Sequence, residues 1–306
     1  MLGVELSDPA LIGRLSNAGD FLAEVVARLL ALSAGTQEPA GQWDGPPVRL
    51  ADGSMFAGPG KTGVQHRLHA TYDPRRGWFT ALELTGKGRG EGENLSRSGI
   101  AKGEVAVADR NYAKTWAFRE LVENEAFFCV RTGVSSTRAS DPVTGAKIDA
   151  ACILAALGAA DSAEIPVHLT ESKGVRKSAA KPPVAARLVV FKATEASLAC
   201  ETARIKRSKV KHGVAPRSDT KALAGVMMIL TNLPPDEWPI RHVARLYRLR
   251  WQIELAFKLL KSTFQMREVP GKTPEMARSW ILANLAAALI AKLLADKMAA
   301  IPPSRP

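Results

Sequence analysis

Four polar residues recur at helical spacing towards the C-terminal end of the chain: Tyr247-x2-Arg250-x3-Glu254-x6-Lys261. At about 100° per residue, with Tyr247 at zero, Arg250 falls at about −60°, Glu254 at about −20° and Lys261 at about −40°. The spacing predicts one helix over 239–264 with all four residues on a narrow stripe. Leu249, Ile253, Ala256 and Leu260 cluster opposite; Trp251, Leu255 and Leu259 fill one flank, Leu246 and Phe257 the other. A helix apolar over most of its circumference is expected to be mostly buried. A carboxylate on it then needs a paired charge, a metal or water. Spacing alone leaves open an ordinary amphipathic helix with a solvated ion-pair face.

Two aspartates end apolar runs elsewhere: Leu50-Ala51-Asp52-Gly53-Ser54 and Val107-Ala108-Asp109-Arg110-Asn111-Tyr112. A carboxylate at the end of a buried strand can face a crevice at the sheet edge. Two such aspartates plus a helical glutamate could hold two divalent cations. Mg²⁺ is hard and keeps several waters, so few carboxylates suffice. Two such ions activate a nucleophile and stabilise the leaving oxygen of a phosphoryl transfer. Asp before Gly is also a common turn pair, so Asp52 alone is open to that reading.

The elements that must position these residues are legible in outline. Apolar spacing predicts a helix over 9–34, then a Gly/Pro-rich linker over 36–47. Short strands over 48–52, 65–72 and 77–84, joined by turns at 58–63 and 73–77, read as a meander. A polar stretch over 86–98 has room for a short helix. The run over 104–109 is apolar on both faces, as in a central strand. A helix over 112–124 and a strand over 126–131 follow. Together these predict an α/β layer arrangement with a mixed sheet. Residues 132–224 change to glycine, serine and short β-like pieces, at 165–170 and 187–192. The apolar strand over 225–231 resumes the core, and a last helix spans 273–300.

Charge points to the partner. The 306 residues carry 42 Lys and Arg against 30 Asp and Glu, a net +12. Residues 173–221 hold thirteen Lys or Arg and three acids, most of that excess. Such a balance favours a polyanion, nucleic acid before membrane surface. The cluster Arg204-Ile205-Lys206-Arg207-Ser208-Lys209-Val210-Lys211 is dense enough for a phosphate track, with a solvated surface as the alternative. Salt-sensitive, weakly sequence-selective binding is expected from it. Cys129, Cys152 and Cys200 form no C-x-x-C pair, so neither a disulfide scaffold nor a zinc ribbon is supported, and a reducing cytoplasmic home is expected. The opening residues, with acids and no basic cluster before an apolar run, are not expected to be a secretory signal. The apolar stretch over 280–294, broken by Asn284 and Lys292, reads as a buried helix, not a membrane span. His66 and His69 are expected to face one side of their strand in a structural or DNA-facing role. Trp116 and Trp238 are expected to pack in the core or at a helix start. The glycines over 86–92 lack a nucleotide-binding pattern.

Taken together, the Tyr-Arg-Glu-Lys pattern, the Leu246–Lys261 run around it and the two aspartate segments resemble the bacterial insertion-sequence transposases of the IS-four type. Gly58-Pro59-Gly60, Arg67-Leu68-His69 and Tyr72-Asp73 extend the resemblance around the first aspartate. It covers roughly residues 10–295. It implies a DDE enzyme: a ribonuclease-H-like mixed sheet with flanking helices, interrupted by a β-rich insertion. The implied layout is a truncated DNA-end-binding helix and linker over 1–46, core over 47–131, basic insertion over 132–224, and core with the signature helix over 225–300. Asp52, Asp109 and Glu254 would bind two Mg²⁺, with Mn²⁺ as a substitute. Double-stranded DNA, as inverted-repeat ends and target, would be the partner, with a dimer on DNA and a cytoplasmic, nucleoid-associated location. The enzyme would cleave at the ends and join the freed 3′-hydroxyl to target, with Tyr247, Arg250 and Lys261 on the phosphates. Members of the family usually carry a longer N-terminal region than the 51 residues that precede Asp52 here. The alternative expectation is therefore a truncated, catalytically inactive DNA-binding remnant. Some members place a tryptophan on the strand before the signature helix to hold a flipped base. Met227 stands near that position and stacks poorly, which weakens the case for a hairpin route.

Overall fold

The computed structural model describes residues 7–34, 45–58, 65–86, 95, 97–134, 136–171, 181–194, 198–199, 202–203, 207, 218–266, 269–270 and 273–299. In chain order these form α1 (Asp8–Asn17), α2 (Gly19–Ala34), β1 (Val48–Ala57), β2 (Gln65–Asp73), β3 (Trp78–Gly86) and β4 (Val105–Ala108). A 3-10 turn (Arg110–Tyr112), α3 (Thr115–Glu123), β5 (Phe127–Thr132), β6 (Arg138–Ser140) and α4 (Ala150–Leu157) follow. The rest is β7 (Ser162–Thr170), β8 (Val184–Lys192), α5 (Ser218–Ala222), β9 (Val226–Thr231), α6 (Ile240–Arg248), α7 (Trp251–Thr263) and α8 (Pro274–Ala299). The chain divides into two units: Met1–Gly45, Leu50–Glu91 and Trp251–Pro306 make the first, Pro46–Arg49 and Gly92–Arg250 the second.

In the first unit β1, β2 and β3 form the expected antiparallel meander. The turn between β2 and β3 is set by Asp73, whose Oδ1 accepts the N–H groups of Arg75 (2.8 Å) and Arg76 (3.3 Å), with Gly77 at φ +64°. β1 runs on to Ala57, five residues past its expected end, because Gly53 and Ser54 pair with His69 and Leu68. Ladder pairing here overrides the turn preference of Asp-Gly-Ser. Opposed residues share a face of a sheet. The pairs Leu50–Tyr72, Asp52–Ala70, Ser54–Leu68, Phe56–His66 and Tyr72–Phe79 therefore define one face. α7 packs there: the Phe257 ring lies 5.6 Å from Phe79, and Lys261 Nζ sits 4.7 Å over the Phe56 ring.

The expected helix over 9–34 is two helices. Ala18 N–H bonds back to Leu15 O, closing α1 with a tight turn, and α2 begins at Gly19. Tertiary contacts hold the break. Ser279 Oγ donates to Ser16 O (3.5 Å), and Arg278 Nη2 pairs with Asp20 Oδ1 (2.9 Å) in the first turn of α2. A Cβ on Gly19 would lie 2.4 Å from Arg278 Nη1, so glycine permits this close approach. α8 packs against α1 and α2, with Ala277, Ile281, Leu282, Leu285 and Leu289 buried. By length and mean hydropathy it is also the one helix among the described residues long and apolar enough to cross a membrane. The burial expected over 280–294 is partial, since Ile290 and Leu294 are exposed.

In the second unit the strand order is β4-β5-β9-β8-β7-β6. β4 and β5 are parallel and the other neighbours antiparallel, giving a mixed sheet. α3 supplies the crossover that a parallel pair requires. Val105–Ala108 is wholly buried, as a run apolar on both faces demands. Strands from the 132–224 region continue this sheet, β8 pairing with β9 through Leu188–Leu230 and Val189–Ile229. The α/β class with a mixed sheet and flanking helices is thus as expected. Phe118 of α3 stacks on Phe128 of β5 at 4.3 Å, both fully buried. Phe118→Ala is expected to cost about 3–5 kcal/mol; urea unfolding that shifts its midpoint by less than 1 kcal/mol of stability would contradict this packing role.

The predicted helix over 239–264 is also two. Leu249 N–H and Arg250 N–H bond to Leu246 O and Tyr247 O, each at 3.1 Å. These i→i−3 bonds tighten the end of α6, and α7 starts afresh at Trp251. The single stripe therefore does not exist as drawn: Tyr247 belongs to α6, Arg250 to the break, Glu254 and Lys261 to α7. The predicted burial of α7 also holds only in part. Ile253, Phe257 and Leu260 are buried, whereas Trp251, Leu255 and Leu259 are exposed. His66 and His69, three apart on β2, face opposite sides of the meander, contrary to the expectation that they share one. A strand alternates faces at every residue, so an odd separation cannot put two side chains together. The short helix allowed for over 86–98 falls mostly outside the described residues.

Candidate active site

Asp52 and Glu254 belong to the first unit. Asp52 lies on the face of β1 that α7 covers, on the same side as Phe56. On α7, Lys261 follows Glu254 by seven residues and so lies about 20° from it around the helix axis. Phe257, about 60° from Glu254 in the same direction and so about 40° beyond Lys261, is the residue that meets the sheet. Glu254 and Lys261 therefore share the side of α7 that borders this face. Lys261 Nζ donates to Met55 O at 2.8 Å and caps the Phe56 ring. Burial pulls its pKa below that of an ordinary lysine. Asp52 Oδ1 accepts from Gly53 N–H at 2.8 Å, a local bond that orients the carboxylate.

Asp109, Tyr247 and Arg250 belong to the second unit. Asp109 follows the buried β4 and caps the 3-10 turn, its Oδ1 accepting from Asn111 N–H at 2.7 Å. Fully buried Tyr112 anchors that turn. Tyr247 is near enough to Asp109 to feel its charge. Burial raises the phenol's pKa; the charges of Arg250 and Arg131 and a hydrogen bond from Arg250 oppose this, and the Asp109 carboxylate adds to it. The Arg250 guanidinium carbon lies 5.8 Å from the Tyr247 ring centroid. The phenol is thus kept protonated, as a donor, into the alkaline range. An ultraviolet titration of wild type against Tyr247→Phe should lose one late-ionising phenol; loss of an ordinary one would contradict this burial.

Arg131 was not singled out from sequence. Ala108 pairs with Val130 at the end of the parallel β4–β5 ladder, so the next residues along the two strands are Asp109 and Arg131. The available signal was an arginine closing the apolar run Phe128-Cys129-Val130, beside a strand that itself closes on an aspartate. Of the basic cluster, Arg207 is described: it is exposed and donates from Nε to Ala203 O at 3.4 Å. Arg204, Lys206, Lys209 and Lys211 lie outside the described residues. His66 and His69 face Pro274 O (3.2 Å) and Thr85 Oγ1 (3.1 Å), a structural use of both rings. Trp238 is buried beside the start of α6, as expected. Among the described residues no group of three or more His, Cys, Asp or Glu stands close enough to hold a metal ion. The donors that the sequence suggests are all carboxylate oxygens, which suits a hard divalent cation that keeps its waters.

Asp52 within β1, Asp109 at the end of β4, a glutamate-bearing helix with a flanking lysine, and a mixed sheet are the features the structure offers. Residues 43–290 match the family described as "Transposase DDE domain", and the chain belongs to that family. It is therefore a transposase of the ribonuclease-H-like DDE class, an enzyme acting on DNA with divalent-metal dependence. It is 35% identical to the InsL protein of insertion sequence element IS186A from Escherichia coli (strain K12) over 286 residues. That match takes in 93% of this chain and 75% of the relative. The transposase for insertion sequence element IS421 from Escherichia coli matches with the same identity and coverage. The transposase for IS231E from Bacillus thuringiensis subsp. finitimus is 30% identical over 112 residues, 37% of this chain and 23% of the relative.

Proposed function

We propose that this transposase cuts insertion-sequence DNA at the element's inverted-repeat ends and joins the freed 3′-hydroxyl to target DNA. Asp52, Asp109 and Glu254 are the three carboxylates in this reading. One observation carries it: each carboxylate site sits with a cation ready for phosphate. Glu254 shares its helix side with Lys261 over the Asp52 face, and Asp109 lies within electrostatic reach of Tyr247, which Arg250 and Arg131 also flank. Asp52, Asp109 and Glu254 would hold two Mg²⁺, or Mn²⁺ in their place, which would supply nucleophile activation and charge neutralisation at the leaving oxygen.

The chain's own residues do the rest. Arg250 and Arg131 offer planar forks that match phosphate oxygens, and Lys261 offers a point charge. Tyr247 donates a hydrogen bond from a phenol that stays protonated. Arg204, Lys206, Arg207, Lys209 and Lys211 hold the DNA backbone without reading sequence. The active form is a dimer on paired ends, in the cytoplasm and associated with the nucleoid. Strand transfer separates this reading from a plain nuclease. Pre-cut end DNA, a supercoiled target plasmid and Mg²⁺ are expected to yield joined products through the 3′-hydroxyl. Hydrolysis of the ends with no joined product would overturn it.

A further inference from the structure

The connection between β9 and α6 is held by a buried side chain from another strand. Arg187 of β8 is 5% exposed. Its Nε donates to Leu233 O at 2.9 Å, its Nη2 to Trp238 O, and its Nη1 meets Glu164 Oε2 of β7 at 2.6 Å. Leu233 and Trp238 bracket the connection, and Trp238 N–H closes a turn on Pro234 O at 2.9 Å. Asn232 ties the same stretch to β5, its Oδ1 accepting from Phe128 N–H (2.8 Å) and its Nδ2 donating to Ala126 O (3.2 Å). α6 begins at Ile240, two residues after the carbonyl that Arg187 grips.

A buried guanidinium is costly unless its donors are used and its charge is met. Here both conditions hold, and the partners are the two ends of one connection. Arginine's planar fork reaches two carbonyls and a carboxylate together, whereas a lysine ammonium is a compact point donor. From this anchor α6 carries the chain about 10 Å further along its axis to Tyr247. Val243, wholly buried, keys the helix to β5, its carbonyl 4.0 Å from Cys129 Sγ.

We propose that Arg187, with Glu164, is a positioning residue of the transposition reaction: it fixes where α6 starts and thereby where Tyr247 and Arg250 stand beside Asp109. This rests on the function proposed above. Arg187 touches none of the reacting groups and acts through the helix.

The test reads Tyr247 directly and catalysis separately. The chain has three tyrosines, Tyr72, Tyr112 and Tyr247. Ring-¹³C labelling gives three signals, with Tyr247 assigned by its loss in Tyr247→Phe. In Arg187→Lys the Tyr247 signal is expected to move while Tyr72 and Tyr112 stay. End cleavage at saturating DNA should fall about 10- to 100-fold, the scale of an ångström misplacement, with DNA binding within about threefold of wild type. Glu164→Gln keeps an acceptor for Arg187 and removes the charge, so the same changes are expected at about threefold in rate. If Arg187→Lys fails to fold, Glu164→Gln carries the test alone. Unmoved Tyr247 with unchanged cleavage overturns the proposal, as does a joint movement of all three signals. If wild type leaves the ends uncut, the function reading falls, and the tyrosine spectra still decide whether Arg187 places α6.

Discussion

Asp109→Asn is expected to leave the chain folded and bound to DNA while end cleavage falls by about 10³-fold or more, the scale of losing a key charge-stabilising group. The substitution is nearly isosteric. The side-chain oxygen that accepts from Asn111 N–H remains, so the 3-10 turn keeps its cap. What is lost is a negative charge at the end of a buried strand. That charge is felt at Tyr247, which Arg250 and Arg131 flank. Removing it cannot weaken the hold of those arginines on phosphate, so binding measured by fluorescence anisotropy is expected within about twofold of wild type. Cleavage that survives within tenfold would contradict a metal-binding role for Asp109. Loss of binding together with cleavage would point to a structural role.

The second large effect belongs to Lys261. Its ammonium donates to Met55 O and caps Phe56, and neither partner neutralises its charge. Methionine has a similar length and keeps the apolar stem packed. Lys261→Met loses a cation–π contact and a charged hydrogen bond but no longer desolvates an ammonium, so stability is expected to change by only about 1 kcal/mol. The functional cost is larger. End cleavage should fall about 10- to 100-fold. The slope of log binding constant against log salt should drop by about one, as for one lost phosphate contact. An unchanged slope would place Lys261 away from DNA and leave it a structural residue.

The meander, the buried strand before Asp109 and the mixed sheet were legible because period-two and continuous apolar runs report burial directly. The breaks were not. Residues 248–251 contain neither glycine nor proline, so nothing in the spacing marks the end of α6; the i→i−3 bonds at Leu249 and Arg250 do. At 17–19 Asn17 and Gly19 are local stop signals, but the contacts that hold the break come from Arg278 and Ser279, some 260 positions away. The site itself divides the same way. Glu254 and Lys261 keep the relation that their spacing gives, because both lie on α7. Tyr247 joins Asp109 for a reason the stripe did not contain: α6 and the β4–β5 strand ends bring them together. Arg131 became visible only when the parallel register set it next to Asp109 along the strand ends.

The most direct test of three-carboxylate catalysis is cleavage of DNA carrying the host element's own ends, with Mg²⁺ or Mn²⁺, for wild type beside Glu254→Ala. Cleavage confined to the ends in wild type and absent in Glu254→Ala, with salt-sensitive DNA binding retained in both, is the expected result. Equal cleavage by the two proteins, or none by wild type on bound ends, would contradict it.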